Sequence, residues 1–498
     1  MLINCNKCVE DLHDQCNDPE SCLCAKECNH NQPKYVIKDD AIPSFEEFKE
    51  DLKKNPVRYH RDSPSTVSNV ASILMMKYYF ITIIEKDEIC CFNGKIFDSK
   101  GVEALIHKEA ENRIINCRKK DRNEVLSKIK VLTAKSIDEF DSDPYLLTLS
   151  NGILDLRTLK ISPHSPLHLT RILYPVNYDK PKTKSLEKNL GDTLFWKSLK
   201  QSFTIDGKFQ KDRFMTVLEM IASVFVRKQV DERSFINLGS GQNGKSTFLE
   251  YIISMLGNEN ISSISLQQFS DNRFATVHLD GKTANITTDI SSNELQKTGQ
   301  FKILSSGEGM FVEQKNKHGY IFHNNAKLIF SCNRFPKVYD QSQGFFRRWI
   351  IIKWDRDFEK DPDSIPDIKS KLKENRDEMN LVFSNLVEIS KRLLDTNKYE
   401  YSKDWKFNQK IWNENADVLK WFVDTWCFRG KFSKSKIDTY EFYKNKMFDI
   451  GEPPLGIGRF SKGFAEYFED SKNDGMRIWL NLEFREPKQE TLKEVDDR

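Results

Sequence analysis

The sequence lacks a long uninterrupted apolar run. The most apolar early stretch, Ala71–Ile84, is broken by Lys77 and is shorter than the roughly 20 residues that a membrane-spanning helix needs. The N-terminal residues also lack the charged and apolar regions of a secretory signal peptide. These absences predict a soluble, cytoplasmic protein without a membrane partner.

A surplus of charge of one sign is lacking as well. The 77 Lys and Arg residues almost balance the 74 Asp and Glu residues, which leaves a formal net charge of +3. Bulk electrostatics therefore neither require nor exclude a nucleic-acid partner, and any basic binding surface must be local. Glycine, at 21 of 498 residues, is not enriched, which excludes a fibrous or low-complexity chain.

Cysteine is scarce outside the N-terminal segment. Six of the eleven cysteines fall among the first 30 residues, where His13 and His30 also lie. Without a secretory signal, such clustering favours metal binding over disulfides, and the Cys5-x-x-Cys8 spacing suits a tetrahedral zinc site. We predict that residues 1–38 hold one structural Zn²⁺, with the alternative of a polar tail with reduced thiols. The candidate ligands are Cys5, Cys8, Cys16, Cys22, Cys24 and Cys28, with His13 or His30 as an alternative ligand in the second half of the site.

Residues 39–140 predict a small α+β accessory domain without a visible catalytic constellation. A helical segment near Pro43–Lys53 precedes a mostly helical run, Val67–Ile84. The stretch Glu88–Phe97 is typical of two short strands joined at an Asn-Gly turn, and a helix is predicted over Val102–Asn112.

Residues 141–190 begin with Asp141-Ser142-Asp143. Aspartates two apart can hold the metal ions of a polymerase or primase, but Pro144 follows directly and no further acidic partner is near, which favours a polar loop. Leu149–Leu156 predicts a hairpin around an Asn-Gly turn, and Lys180–Leu190 has the composition of a linker.

The stretch Gly239–Ser246 fits the pattern G-x-x-x-x-G-K-S/T without a mismatch. A strand-like run, Arg233–Leu238, precedes it, and an apolar run at helical spacing, Thr247–Leu256, follows. A strand, a glycine-rich turn and a helix N-terminus together cradle phosphate groups through backbone N–H groups, with Lys245 at the β- and γ-phosphates and the Ser246 hydroxyl on Mg²⁺. The residues predicted to bind a nucleoside triphosphate are Gly239, Ser240, Gly241, Gln242, Asn243, Gly244, Lys245, Ser246 and Thr247.

Two strand ends downstream carry polar side chains. The strand candidate Lys282–Ile290 contains Asp289 near its end, where a carboxylate can hold Mg²⁺ and polarise the attacking water. Only one acid is present there, so Asp289 bears this role alone or with Glu294. The apolar run Ala326–Asn333 ends in an amide, Asn333, that suits the attacking water or the γ-phosphate.

Basic residues occupy two further places. Within Phe301–Phe322, two β-like runs flank a tip with Lys315, Lys317 and His318, which can grip a nucleic-acid backbone without reading its sequence. Arg347 and Arg348 directly precede a buried strand candidate, where a guanidinium can reach the γ-phosphate of a neighbouring subunit as an arginine finger.

The series of these motifs over Leu146–Trp354 resembles the superfamily 3 helicases, in particular the phage/plasmid and poxvirus primase-helicases. The resemblance implies an AAA+-like domain that forms a hexameric ring, hydrolyses ATP at subunit interfaces and moves along single-stranded DNA. It implies that Lys245 and Ser246 belong to Walker A, Asp289 to Walker B and Asn333 to sensor 1. It further implies that Lys315 is the pore-hairpin lysine and that Arg348, with Arg347 as the alternate, is the arginine finger.

Two features depart from the family pattern. Thr288 stands beside Asp289 where many members carry two acids, and the first 140 residues do not resemble the primase domain of larger members.

The fold class predicted is α/β, with a P-loop AAA+-like core and parallel sheet over residues 191–360, preceded by α+β and zinc-bearing N-terminal regions. Residues 361–415 predict a helical linker, and residues 416–498 predict a winged-helix domain, because helices are followed by a terminal strand. Its candidates for duplex DNA phosphates are Lys431, Lys434, Lys436, Arg459 and Lys462, although a protein-docking face is an equal alternative.

The function predicted is an ATP-dependent DNA helicase that acts in replication of a virus, plasmid or other mobile element. Two alternatives stay open: a primase-helicase with an unrecognised priming centre, and a nucleic-acid-binding P-loop ATPase that does not unwind.

Overall fold

The computed structural model describes residues 59–484 except positions 62, 64, 240, 291–293, 314–318, 360, 450–453 and 474–475. The predicted zinc segment and the helix expected near Pro43–Lys53 lie outside the described residues. The chain divides into two compact units. One comprises the described residues up to Ser142 together with His164–Arg171, and the other comprises Asp143–Pro163 and the described residues from Ile172 onward.

The first unit packs helices against a four-stranded sheet of order β4-β3-β2-β6. Its elements are β1 (Tyr59–His60), α1 (Thr66–Lys77), β2 (Phe80–Ile83), β3 (Glu88–Phe92), β4 (Phe97–Asp98), α2 (Val102–Arg113), β5 (Ile114–Ile115), α3 (Lys119–Leu132) and β6 (Ala134–Lys135). Side chains from α1, α2, α3 and the sheet share one apolar core.

The helical run expected over Val67–Ile84 is wrong in its second half. The helix ends at Lys77, and Phe80–Ile83 forms a strand that pairs antiparallel with β3. All four residues of this strand are buried, so the run shows no alternation that would separate it from a buried helix. These residues form a strand and not a continuation of the helix because they pair with β3. The hairpin β3–β4 around the Asn-Gly turn is confirmed.

The second unit begins with a three-stranded antiparallel sheet, β7 (Leu146–Leu149), β8 (Gly152–Asp155) and β9 (Lys160–Ser162). The predicted hairpin forms here. Gly152 has φ +144°, and a Cβ at this position would lie 2.6 Å from the Ser162 carbonyl oxygen, so the close approach of β9 requires glycine. The following elements are α4 (Leu186–Leu190), α5 (Leu194–Ser202), β10 (Thr204–Ile205), β11 (Lys208–Phe209) and α6 (Lys211–Ser223).

A five-stranded sheet of order β13-β14-β17-β12-β18 forms the centre of the second unit, and every pairing in it is parallel. Its strands are β12 (Ser234–Leu238), β13 (Ile261–Ser262), β14 (Ala284–Thr287), β17 (Lys327–Cys332) and β18 (Trp349–Lys353). Strands β12 and β17 are buried at every position, as expected for a parallel sheet covered on both faces. The predicted α/β class with a parallel sheet is confirmed.

Helices cover both faces of this sheet. Along β12, Phe235 joins one apolar core and Ile236 joins the other, because successive side chains of a strand point to opposite faces. The first face holds α6, α7 (Lys245–Leu256), α11 (Ile368–Glu374) and α12 (Arg376–Thr396). The second face holds α8 (Leu266–Asp271), α9 (Gly299–Ser306), α10 (Gln343–Phe346) and α13 (Trp405–Ala416).

A separate antiparallel hairpin, β15 (Gly309–Val312) and β16 (Tyr320–His323), follows α9. The described C-terminal elements are α14 (Val418–Trp426), β19 (Cys427–Arg429), β20 (Lys434–Ser435), α15 (Lys436–Asp449), α16 (Ile457–Phe464), β21 (Asp470–Asn473), β22 (Met476–Trp479) and β23 (Leu482–Phe484). They enclose their own apolar core, in which three helices face a sheet of order β20-β22-β21.

None of the helices in the described part of the chain has the length and apolar character needed to cross a bilayer.

Candidate functional site

The carboxyl ends of β12, β14 and β17 meet at one edge of the central sheet, because the three strands are adjacent and parallel. Gly239 follows β12, Asn333 follows β17, and Asp289 lies two residues beyond β14. The Gly239 N–H donates to the Cys332 carbonyl oxygen at 3.2 Å, and the Ile290 N–H donates to that of Ser331 at 2.9 Å. The fold therefore brings these three sequence positions together.

The loop from Gly239 to Lys245 needs glycine at particular places. Gly241 and Gly244 have φ values of +108° and +86°, which side-chain-bearing residues rarely adopt. A Cβ at Gly239 would lie 2.1 Å from Asn243 Nδ2 and 2.6 Å from the Trp354 carbonyl oxygen. The loop is thus drawn tightly against the segment that leaves β18. Ser240 lies outside the described residues.

Two hydrogen bonds hold the loop in place. Asn243 Nδ2 donates to the Trp354 carbonyl oxygen at 3.0 Å, and the Phe358 N–H donates to the Gln242 carbonyl oxygen at 2.9 Å. The 12-residue helix α7 begins directly after the loop, with Gly244 as its N-cap. Its first N–H groups have no partners within the helix and carry the positive end of the helix dipole.

Lys245 is buried at the centre of this loop, with 5% of its surface exposed. Its Nζ donates to the Gly239 carbonyl oxygen at 2.5 Å, to Asn243 Oδ1 at 3.1 Å and to Asn333 Oδ1 at 3.4 Å. All three acceptors are neutral. Burial lowers the pKa of Lys245 to about 8, and the nearby Cys332 and Asp289 oppose that shift only in part. Because its acceptors are neutral, a nearby anion would stabilise the charged form of this buried ammonium group.

The other residues of this edge are accessible. Ser246, Thr288 and Asp289 are exposed, and Thr247 is half-buried. Glu294, the alternative helper of Asp289, accepts a hydrogen bond from the Tyr339 hydroxyl at 2.7 Å. Among the described residues, no cluster of three or more His, Cys, Asp or Glu side chains has the arrangement of a metal site.

A cavity of about 260 Å³ adjoins the loop. Its walls come from the loop, from α5, from the start of α7 and from the segment between β18 and the first residue of α11. The lining residues are Ser198, Gln201, Ser202, Gln242, Gly244, Thr247, Phe248, Phe358, Ile365 and Ile368. Phe358 and the two isoleucines belong to no recognisable motif, so no pattern in the sequence points to them. The backbone bond from Phe358 to Gln242 makes this segment part of the site.

Arg347 and Arg348 lie at the opposite edge of the sheet. Trp349, the first residue of β18, is in register with Ser234, the first residue of β12. The arginines therefore precede the strands that the loop follows, and a strand of five residues at about 3.3 Å per residue separates the two edges by roughly 17 Å. Neither arginine reaches the loop of its own chain.

Glu232 binds both arginines, a partner that sequence reasoning missed. Its Oε2 forms an ion pair with Arg347 and lies 3.0 Å from Arg348 Nη2. Arg348 is only 8% exposed and also donates from Nη1 to the Gly344 carbonyl oxygen at 2.5 Å. Asp231 and Glu232 have consecutive positive φ values of 49° and 52°, which cost about 1–2 kcal/mol per residue. Strain at such a position is a reason to suspect a functional role.

The other predicted site residues do not belong to the sheet edge that carries the loop. Lys315, Lys317 and His318 lie outside the described residues, although the two strands that flank them pair as predicted. Asp141 and Asp143 interact with arginines, at 3.8 Å from Arg171 and 2.8 Å from Arg157 respectively, which agrees with the structural loop favoured from the sequence.

The basic residues of the C-terminal region differ in their surroundings. Lys436 pairs with Asp470 at 2.5 Å and lies 4.1 Å from the ring centre of Trp479, and Lys434 lies 5.7 Å from that of Phe484. The exposed positions are Lys431, Lys434, Arg459 and Lys462.

Two families match parts of the chain. Residues 72–202 match the family described as D5 N terminal like, and residues 238–348 match a family of unknown function, DUF5906. The second match begins at the end of β12 and ends at Arg348, so it contains the loop, Asp289, Asn333 and both arginines.

The chain is also similar to viral proteins. It is 22% identical over 226 residues to a "Putative primase" of African swine fever virus, covering 43% of this chain and 22% of that protein. It is 22% identical over 336 residues to a "Putative helicase" of Acanthamoeba polyphaga mimivirus, covering 61% of this chain and 33% of that protein. The chain thus spans a third or less of the length of these relatives. The apo structure of the NrS-1 C terminal region aligns with 85% of this chain and 100% of that one, at 12% identity and a TM-score of 0.47.

Proposed function

We propose that the chain is an ATP-dependent DNA helicase or translocase of the superfamily 3 type, acting in replication of a virus or other mobile element. The observation that carries the proposal is the buried Lys245 ammonium, which donates to three neutral oxygens of the described residues at a sheet edge shared with Asn333 and Asp289. The names of the viral relatives, primase and helicase, support nucleic acid as the object of the activity.

The site fits MgATP. A triphosphate in the loop would give Lys245 an anionic partner, which it lacks among the described residues, and the N–H groups of the first turn of α7 would bind the same oxygens. The exposed Ser246 hydroxyl and the Asp289 carboxylate would hold Mg²⁺, which would offset charge on the phosphates. Asn333, within reach of Lys245, would orient the attacking water.

The cavity of about 260 Å³ would take the nucleobase. It lies beside Gly244 and Thr247 and is lined by two aromatic rings, Phe248 and Phe358, and by two aliphatic side chains. Apolar walls with a few polar groups are typical of pockets for aromatic ligands. Phe358 and the helix α5 would therefore contribute to affinity without touching a phosphate.

The arginines act in the neighbouring subunit. Because Arg347 and Arg348 lie at the edge opposite their own loop, a guanidinium can reach a γ-phosphate only where this edge of one copy faces the loop edge of the next. Head-to-tail contacts of this kind close into rings, and we propose a hexamer. Glu232 keeps the two guanidinium groups oriented until the contact forms.

The remaining assignments extend the same proposal. The hairpin tip with Lys315, Lys317 and His318 would hold single-stranded DNA, and the C-terminal region would act as a winged helix at duplex DNA. The N-terminal cysteines would hold one structural Zn²⁺.

Unwinding of a forked DNA duplex tests the function. We expect strand separation that needs ATP and Mg²⁺ and is absent from the Lys245→Ala variant. ATP hydrolysis without strand separation on any fork polarity would contradict the helicase and leave a nucleic-acid-dependent ATPase. Primer synthesis from labelled nucleotides on a single-stranded template would instead reveal a primase-helicase.

A further inference from the structure

A second cavity lies against helix α12, in the same compact unit but lined by none of the residues of the proposed nucleotide site. It has a volume of about 630 Å³. Its walls come from the turn between β8 and β9, the segment that precedes α4, and α12. The lining residues are Leu159, Tyr178, Lys180, Pro181, Lys182, Thr183, Lys184, Leu186, Asn385, Glu388, Ile389 and Arg392.

Three lysines on one short segment give this cavity its charge. Lys180, Lys182 and Lys184 are exposed, and none forms an ion pair or a side-chain hydrogen bond with another described residue. The fourth cation, Arg392, is already paired with Glu219 and Glu400. Glu388 is the single carboxylate among the lining residues. The cavity therefore has a surplus of positive charge that an anionic ligand would neutralise.

Hydrogen bonds before and within the lysine-bearing segment hold its backbone in place. Before it, the Asp179 N–H donates to Ser384 Oγ on α12 at 3.0 Å. Within it, Thr183 Oγ1 donates to Asn189 Oδ1 at 2.9 Å, and Asn189 Nδ2 donates in turn to Asn385 Oδ1 on α12 at 2.6 Å. A ligand that binds these lysines would not have to order the backbone that carries them, which lowers the entropic cost of binding.

The inner wall of the cavity is apolar and aromatic. Tyr178 and Ile389 are buried, at 5% and 9% exposure, and Leu159 and Leu186 are packed beside the same core. Pockets of about 300–1,000 Å³ with such walls and a few charged groups are typical ligand sites. An aromatic floor beneath a rim of lysines that form no ion pair with another described residue matches a ligand that joins a flat base to a phosphate.

We propose that this cavity binds single-stranded nucleic acid, with a base against Tyr178 and Ile389 and the backbone phosphates on Lys180, Lys182 and Lys184. Lysine contacts to phosphate carry no sequence information, so the site grips a strand of any sequence. The site requires neither ATP binding nor hydrolysis.

The test measures fluorescence anisotropy of a labelled oligo(dT) strand of about 20 nucleotides with the full chain, without ATP, over a range of salt concentrations. The variant Lys180→Gln/Lys182→Gln/Lys184→Gln removes the rim charge. The control Lys371→Gln/Lys398→Gln/Lys410→Gln removes three exposed lysines elsewhere in the same unit that also form no ion pair or side-chain hydrogen bond with another described residue.

We expect the rim variant to weaken binding by about 10–100-fold at roughly 0.1 M salt, and its salt slope to fall by about 2, near 0.7 per lost phosphate contact. The control should stay within about threefold of the parent. Equal losses of affinity in both variants would show that binding depends only on the overall charge of the protein, and this would overturn the proposal.

Two comparison ligands, an abasic strand and dTMP, show which part of the nucleotide is bound. The parent should prefer oligo(dT) to an abasic strand of equal length, and the rim variant should lose most of that preference, since phosphate contacts hold the base in place. No preference in the parent would overturn the base contact.

Displacement of the strand by equimolar dTMP would overturn the strand as ligand and assign the cavity to free nucleotides. The Lys245→Ala chain should bind the strand as the parent does, so a failure of the proposed ATPase leaves this result unaffected.

Discussion

At the scale of single residues, Lys245 decides the chemistry of the site. Its ammonium group is buried, and each oxygen of the described residues to which it donates a hydrogen bond is neutral. Such a group is costly for the free protein, and the phosphate of the proposed ligand would offset that cost. Lys245→Ala should therefore lower ATP hydrolysis by about a hundredfold or more without lowering the melting temperature. The control Lys410→Ala, at an exposed lysine, should hydrolyse ATP at the parent rate.

The pH dependence of nucleotide affinity follows from the same residue. Burial lowers the pKa of Lys245 to about 8. A bound triphosphate adds negative charge beside Nζ and raises this pKa. The complex then holds the proton more firmly than the free protein, so affinity is complete below about pH 8 and falls as the pH rises through the pKa of the complex.

Calorimetry checks this proton linkage. At about pH 9, ATP titrations in two buffers of different ionisation enthalpy should reveal net proton uptake. Lys245→Arg, whose guanidinium does not titrate in this range, should show none. Equal proton uptake by both chains would assign the titration to another group.

At the scale of elements, the parallel sheet separates the two halves of the proposed active site. The loop follows β12 and the arginines precede β18, so each chain carries both halves at opposite edges. A mixture of Arg348→Ala and Lys245→Ala chains, each inactive alone, should regain roughly a quarter of the parent hydrolysis rate. One interface in four then joins an intact loop to an intact arginine. A mixture that stays inactive would contradict action in the neighbouring subunit, and the same mixture made with Arg347→Ala identifies which arginine acts.

Glu232 belongs to the second of these halves. It pairs with both guanidinium groups from a strained turn. Glu232→Gln should lower kcat by about tenfold with the affinity for ATP unchanged, because the arginines lose their orientation and the loop does not. Mixing with Lys245→Ala chains should restore activity as it does for Arg348→Ala. A change confined to ATP affinity would show that Glu232 acts on the loop instead.

At the scale of the whole molecule, helix α13 supports the edge that carries Asn333. Trp412 stacks on Phe335 with ring centres 4.3 Å apart, and its Nε1 donates to the Pro336 carbonyl oxygen at 2.9 Å. Trp412→Ala should destabilise the second unit by about 3–5 kcal/mol, as expected for a large aromatic removed from a core. Phe407→Ala on the same helix, where the ring is 41% exposed, should shift the denaturation midpoint far less. Equal shifts in both variants would show that the stacking of Trp412 on Phe335 does not contribute to the stability of the second unit.

Much of this organisation is already present in the sequence. The loop Gly239–Ser246 is recognisable because its glycines are dictated locally: the φ values at Gly241 and Gly244 suit no other residue well. The ends of β14 and β17 could be located because buried parallel strands are continuous apolar runs. Asp289 and Asn333 then follow from the strands that place them.

Other features depend on contacts between residues far apart in the chain. Phe80–Ile83 becomes a strand because β3 pairs with it. Phe358 joins the loop through one backbone hydrogen bond to Gln242, which no local pattern predicts. The 630 Å³ cavity arises where a segment with the composition of a linker is fastened to α12 by Asn189 and Asn385.

The sequence by itself determined the conformation of the glycine-rich loop and the α/β class, because backbone conformation and strand burial are properties of neighbouring residues. Only the tertiary structure decided which edge each functional side chain occupies. Strand order and direction place Lys245 beside Asn333 and place Arg348 at the far edge, bound to Glu232. Those distances are set by the packing of the whole sheet, and they are the reason for expecting a site shared between two copies of the chain.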